Sequence, residues 1–161
     1  QSPLMILFHI NVGWPILGPN SEFIGPSERI TPRDKLLAGG QHNQFSQPQP
    51  DYQEQVFFHD MSADNNNHVY VALVNRNFNS GEGIGLYVRY HKTQFPQFVQ
   101  WKMLGESIYC VGLEPANCGL GGRATERITD SVEYLEPGGR RHYEVEIGVL
   151  TDNTQIDGIA D

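Results

Sequence analysis

Apolar and polar residues alternate with period two along much of the chain, the pattern of strands with one covered face. In RRHYEVEIGVL, Tyr143, Val145, Ile147 and Val149 fall on one side, with Glu144 and Glu146 on the other. IGLYVRY sets Leu86, Val88 and Tyr90 against Tyr87 and Arg89. HVYVALVN is nearly continuous in apolar and β-branched residues, which predicts a strand covered on both faces. LMILFHIN, EQVFFHD, FVQWKML, SIYCVGLE and SVEYLEP bring the strand candidates to eight, separated by Gly, Pro and Asn turns. Such a set predicts an all-β, antiparallel sandwich or barrel. One helical turn is predicted in ITPRDKLLAGG, with Thr31 as N-cap, Pro32 at the first helical position and Gly39 as the stop. The Gln- and Pro-rich stretch GGQHNQFSQPQPDYQ has no period and reads as an active-site cover or a mobile segment. With no internal repeat and no dividing linker, residues 1–161 read as a single domain.

Composition sharpens this picture by exclusion. The chain carries 11 Lys and Arg against 19 Asp and Glu, a net charge of −8, and its few clustered arginines sit beside glutamates. A phosphate backbone needs a basic stripe, so nucleic acid is excluded as a partner. No apolar stretch approaches the roughly 20 residues of a membrane-spanning helix. Two cysteines, Cys110 and Cys118, do not make a disulfide framework and read as free thiols, which together with the lack of a visible signal peptide predicts a reducing cytoplasm.

Three polar positions interrupt strands where apolar residues would cost less. Glu114, in IYCVGLEPAN, alternates with Cys110 and Gly112, so its carboxylate shares a face with small residues that leave room for a ligand. Half-buried, it would have a raised pKa suited to proton transfer; the competing reading is an exposed strand-end glutamate before a Pro turn. In FVQWKML, Gln100 and Lys102 share a face and could hold hydroxyls or an anion, although a solvated outer face opposite a Trp101 core is the stronger reading of the spacing alone. His9, with Asn11 two residues on, could frame a polar pocket or be a satisfied core histidine. HDMSADNNNH gathers His59, Asp60, Asp64 and His68, but matches no standard metal-ligand spacing and reads more readily as turn chemistry. No metal or cofactor is expected.

HINVGWP, EQVFFHD, FPQFVQWKMLGE, YCVGLEPANCGLGGR and LEPGGRRHYEVEIGVL, taken in order, resemble the aldose 1-epimerase-like (galactose mutarotase-like) superfamily, in its bacterial branch of sugar-epimerase-like proteins. The resemblance implies an antiparallel β-sandwich, the supersandwich, of which this chain is the C-terminal part. It implies a small carbohydrate ligand and interconversion of its anomers, with Glu114 as general base on the anomeric hydroxyl and His9 as general acid on the ring oxygen. Asn11, His59, Asp60, Gln100, Lys102 and Arg123 are the candidate substrate-binding residues, and Trp14 or Trp101 the stacking surface. A non-catalytic carbohydrate-binding protein is the alternative, and a cupin-like metal enzyme using His59, Asp60 and His68 a more remote one. Since a partial sandwich leaves strand edges open, homo-oligomerisation or association with an N-terminal half is also expected.

Overall fold

The fold is that of a computed structural model, which describes residues 1–34, 41–129 and 131–160. Eleven strands and two short helices are found among them: β1 (Ser2–Leu4), β2 (Ile10–Val12), β3 (Ser21–Ile24), β4 (Ser27–Pro32), β5 (Gln55–Met61), β6 (His68–Asn75), β7 (Ile84–His91), β8 (Gln97–Leu104), β9 (Tyr109–Ala116), α1 (Gly122–Ile128), β10 (Glu133–Leu135), β11 (Val145–Leu150) and α2 (Asn153–Ala160). One sheet runs β2-β9-β8-β5-β4 and a second β11-β7-β6-β3, while β1 and β10 pair separately. Every strand pairing is antiparallel.

The two larger sheets stack face to face because each presents an alternate set of apolar residues. Val12, Val111, Leu113 and Phe98 of the first meet Val69, Val71, Leu73, Val88 and Tyr90 of the second in one core. On the other face of β6, Ala72 and Val74 are buried as well and pack with Leu150 and Ile156, where α2 lies over the outer side of the second sheet. The unbroken apolar run of HVYVALVN is thus a strand covered twice, as its sequence predicts.

The boundaries differ from the sequence reading in physically sensible ways. Residues 4–11 do not form one strand. Leu7 makes an isolated bridge to Ala116, and regular pairing resumes only at Ile10. Phe8 N–H still donates to the Pro115 carbonyl, but Pro115 has no N–H to return, so the ladder lapses there. The helical turn expected from Thr31 is corrected: Thr31 and Pro32 close β4, paired with Phe58 and Phe57. β4 is the edge of its sheet, where a proline's missing donor is tolerated. The rest of that predicted turn lies outside the described residues. β3 and β4 were not among the sequence candidates, because SEFI and SERITP are short and carry charges on their exposed positions.

Because Ile156 is fully buried against Ala72, Val74 and Leu150, Ile156→Ala is expected to lower stability by about 2–4 kcal/mol in denaturant unfolding. Ile147→Ser, at a half-exposed position of β11, is expected to stay within about 0.5 kcal/mol. Equal effects would mean that α2 is not docked as described.

Candidate functional site

The five-stranded sheet has two chemically distinct faces. Register places Gly112 opposite both Asn11 and Trp101, Glu114 opposite Val99, and Asp60 opposite Arg29. Period two then sets His9, Asn11, Glu114, Gly112, Trp101, Asp60 and Arg29 on the face away from the core. Leu113, Gln100, Lys102 and His59 project from the opposite face, toward the second sheet.

On the open face the register of β2 and β9 holds from Ile10–Leu113 to Leu7–Ala116, which puts His9 directly across from Glu114. His9 Nε2 lies 2.9 Å from Glu114 Oε1, with the imidazole side chain 44% exposed and that of the glutamate 4%. The pair is in contact, yet Oε1 accepts no hydrogen bond of acceptable geometry among the described residues. Burial pushes the Glu114 carboxyl up to about 7, because the charged form loses hydration that nothing replaces. At neutral pH it therefore exchanges a proton readily. Gly112 makes this arrangement possible. A Cβ there would overlap the Glu114 carboxylate and stand 3.0 Å from the His9 ring.

Trp101 forms the adjoining wall. Its ring centroid is 5.6 Å from that of His9, at 66°. The indole Nε1 donates to Glu54 Oε2 at 2.8 Å, and Arg33 donates to Glu54 Oε1 at 2.8 Å. Those two hydrogen bonds hold the Glu54 carboxyl below its ordinary range and fix the plane of the indole. The site thus joins a proton-exchanging carboxyl, an accessible imidazole and an oriented aromatic face. Sequence reasoning named Trp101 but missed Glu54 and Arg33, which are remote from it along the chain and carry no local signal.

Gln100, Lys102 and His59 are not brought to this face. Gln100 Nε2 donates to the His42 carbonyl at 2.9 Å, and Lys102 Nζ to the carbonyls of Gln44, at 3.0 Å, and Gln41. Segment 41–45 thus straps the polar positions of β8 from the interior side. The ammonium also lies over Phe45 and Phe57, 5.7 and 5.6 Å from their centroids, and burial pulls it down to about 8. His59 donates from Nε2 to Gln100 Oε1 (3.2 Å) and accepts at Nδ1 from Ser27 (2.9 Å). Burial draws its pKa down to about 4, so it is a neutral structural histidine. Neither alternative weighed for FVQWKML describes this: the Trp101 side is open and the Gln100–Lys102 side is interior.

Asp60 is on the open face, 3.4 Å from Arg29. Arg123 stands exposed on α1 and joins none of the ion pairs found among the described residues. Trp14 is 82% exposed. His59 and Asp60, as sequence neighbours in β5, point to opposite faces and cannot share a metal ion, while Asp64 accepts the N–H groups of Asn66 and His68 in a turn. No group of three or more His, Cys, Asp or Glu converges among the described residues. Both cysteines are free thiols. A cleft of about 620 Å³ is lined by His68, Tyr70 and Ile159 on the second sheet's outer side, away from the Glu114–His9 pair. Volume and chemistry do not coincide, and the chemistry marks the site.

The sandwich with this face is of the aldose 1-epimerase type. Its structure matches the crystal structure of a candidate aldose 1-epimerase from Klebsiella pneumoniae subsp. pneumoniae MGH 78578 with a TM-score of 0.88 and 25% sequence identity, over 98% of this chain and 41% of that one. The chain thus spans less than half the length of that relative. Residues 1–149 match the family model described as Domain of unknown function (DUF4432), and the chain belongs to that family. Among curated proteins none matches it. No helix among the described residues is long and apolar enough to cross a membrane.

Two outcomes test the geometry. Because its carboxyl is raised on folding, the folded state holds the Glu114 proton more tightly than the unfolded chain, so its contribution to stability is full below about 4.5 and lost as pH rises through about 7. Glu114→Gln, which cannot ionise, should therefore gain about 3 kcal/mol over the wild type above pH 7 relative to pH 4, read from paired pH-dependent unfolding curves. In Gly112→Ala the added methyl should push the carboxylate outward, and a ¹³C titration should find the Glu114 pKa lowered toward 4.5. An unchanged value would refute the close fit.

Proposed function

We propose that the Glu114–His9 pair opens and recloses the ring of an aldose or aldose derivative, interconverting its anomers. The observation that carries this reading is the cross-strand contact at 2.9 Å between an accessible imidazole and a buried carboxyl raised to about 7, beside an oriented indole. Ionised Glu114 takes the proton of the anomeric hydroxyl, whose oxygen forms the carbonyl as the bond between C1 and the ring oxygen breaks. Protonated His9 gives its proton to that ring oxygen. The open-chain aldehyde turns about its C1–C2 bond and recloses from the other face, and both proton transfers reverse. A carboxyl near pKa 7 suits this work, since it both takes and returns a proton at neutral pH. Trp101 supports the apolar face of the sugar, and Asn11 and Asp60 serve its hydroxyls. The likeness to the Klebsiella structure supports the reading, the substrate and activity of the full-length protein being part of the proposal.

The two free thiols fit a reducing cytoplasm. Edge strand β11, with Ile147 and Val149 half-exposed, is a surface for further strands or a second copy.

The alternative, carbohydrate binding without chemistry, is favoured by one feature: the His9 ring closes over the carboxylate, leaving its side chain 4% exposed. Saturation-transfer NMR on anomeric protons separates the two readings. With the full-length protein, exchange is expected to accelerate, to rise with pH as Glu114 ionises through about 7, and to fall at least about 100-fold in Glu114→Gln. Ligand-induced stabilisation without faster exchange would establish the binding-only alternative.

A further inference from the structure

The open face does not end at Glu114. Along the same row, β9, β8, β5 and β4 present Glu114, Val99, Phe58 and Thr31 in turn, and the next row presents Ala116, Gln97, Asp60 and Arg29. An open cleft of about 290 Å³ lies at the far end of these rows, lined by Arg29, Thr31, Phe58, Asp60, Pro96 and Gln97. With strands about 4.8 Å apart, its centre is roughly 10–14 Å from Glu114, beyond the reach of one pyranose ring held at the catalytic pair.

The lining is chemically specific. Gln97 offers an amide with both donors and an acceptor, Thr31 a hydroxyl, and Arg29 and Asp60 a guanidinium and a carboxylate 3.4 Å apart. Phe58 and Pro96 add apolar surface. Polar groups of both senses beside a small apolar patch match a hydroxylated ring, which has hydroxyls at its rim and C–H groups on its faces. Arg29 and the Lys92 ammonium, the latter 3.9 Å away on its other oxygen, flank the Asp60 carboxylate and leave one positive charge in excess, so a phosphorylated sugar is the competing ligand that the test includes.

We propose that this cleft binds a second hydroxylated unit, so that the substrate is an aldose carrying a further sugar or polyol residue. The proposal rests on the anomer-interconverting reading for the position of the first ring. The reducing unit sits at Glu114, His9 and Trp101, and its substituent extends toward β4 above Val99, which its neighbours cover completely. Recognition at the far cleft then selects the glycosylated aldose over the free monosaccharide.

The test compares maltose and lactose with glucose, galactose and glucose 6-phosphate, using binding by calorimetry and anomer exchange by NMR on the full-length protein. The wild type is expected to bind at least one disaccharide about tenfold more tightly than its monosaccharide. Gln97→Ala should weaken the disaccharide at least about fivefold more than the monosaccharide, as loss of one or two neutral hydrogen bonds predicts. Arg29→Gln, a second exposed substitution, should do the same. Equal losses for both sugars, no disaccharide preference, or Arg29-dependent preference for the phosphate would each overturn the proposal. Disaccharide binding that depends on Gln97 without faster exchange would uphold the cleft and remove the catalytic reading instead.

Discussion

The antiparallel register of β2 on β9 is the constraint on which the candidate site depends. Ile10, Asn11 and Val12 pair with Leu113, Gly112 and Val111, and the same register carries His9 to Glu114. It is fixed from the interior, where Val12, Val111 and Leu113 are all buried. A one-residue slip would turn those side chains outward and drive His9 and Asn11 into the core, a change the hydrophobic loss forbids. Pro115 interrupts the ladder just beyond the pair. There, backbone hydrogen bonds from Phe8 N–H to the Pro115 carbonyl and from Asn117 N–H to the Ile6 carbonyl keep the segment carrying His9 in line.

That register also explains the electrostatics. A carboxyl directly across from an imidazole, behind a glycine, sits deep enough to lose water, its side chain only 4% exposed. Gly112 supplies the depth, since any side chain there would occupy the carboxylate's place. Burial without a well-formed hydrogen bond to Oε1 is costly for folding. It is also what leaves Glu114 able to move a proton near neutrality. On the other side of the same sheet the opposite solution holds. Gln100, Lys102 and His59 are buried too, but the carbonyls of segment 41–45 and the Ser27 hydroxyl satisfy them. One sheet thus carries hydrogen-bonded Gln100, Lys102 and His59 inside and an incompletely partnered Glu114–His9 pair outside.

Much of this was legible locally. The alternation in IGLYVRY and the continuous run in HVYVALVN gave strands with the correct covered faces. Glu114 stood out because small residues share its face, and the His9–Asn11 spacing placed both on one side. The Gln100–Lys102 pair misled for a definable reason. Period two states that two residues share a face, but not which face is inside. The interior of this sandwich accepts an ammonium because a distant segment brings carbonyls to it, and no feature of FVQWKML announces that strap. Thr31 and Pro32 misled similarly: their helix-start chemistry is sound, but pairing with β5 outweighs a local preference of this size.

The sequence by itself determined the alternation and the antiparallel sandwich class, and it marked Glu114 and His9 as polar interruptions of their strands, because each is written within a few neighbouring positions. Only the tertiary structure decided which side of the sheet is open, that His9 faces Glu114, that Glu54 and Arg33 orient Trp101, and that Asp60 and Gln97 extend the same surface. Those are consequences of pairing between segments up to about a hundred residues apart. Such pairing is set by the joint burial of two whole sheets, which no single segment encodes.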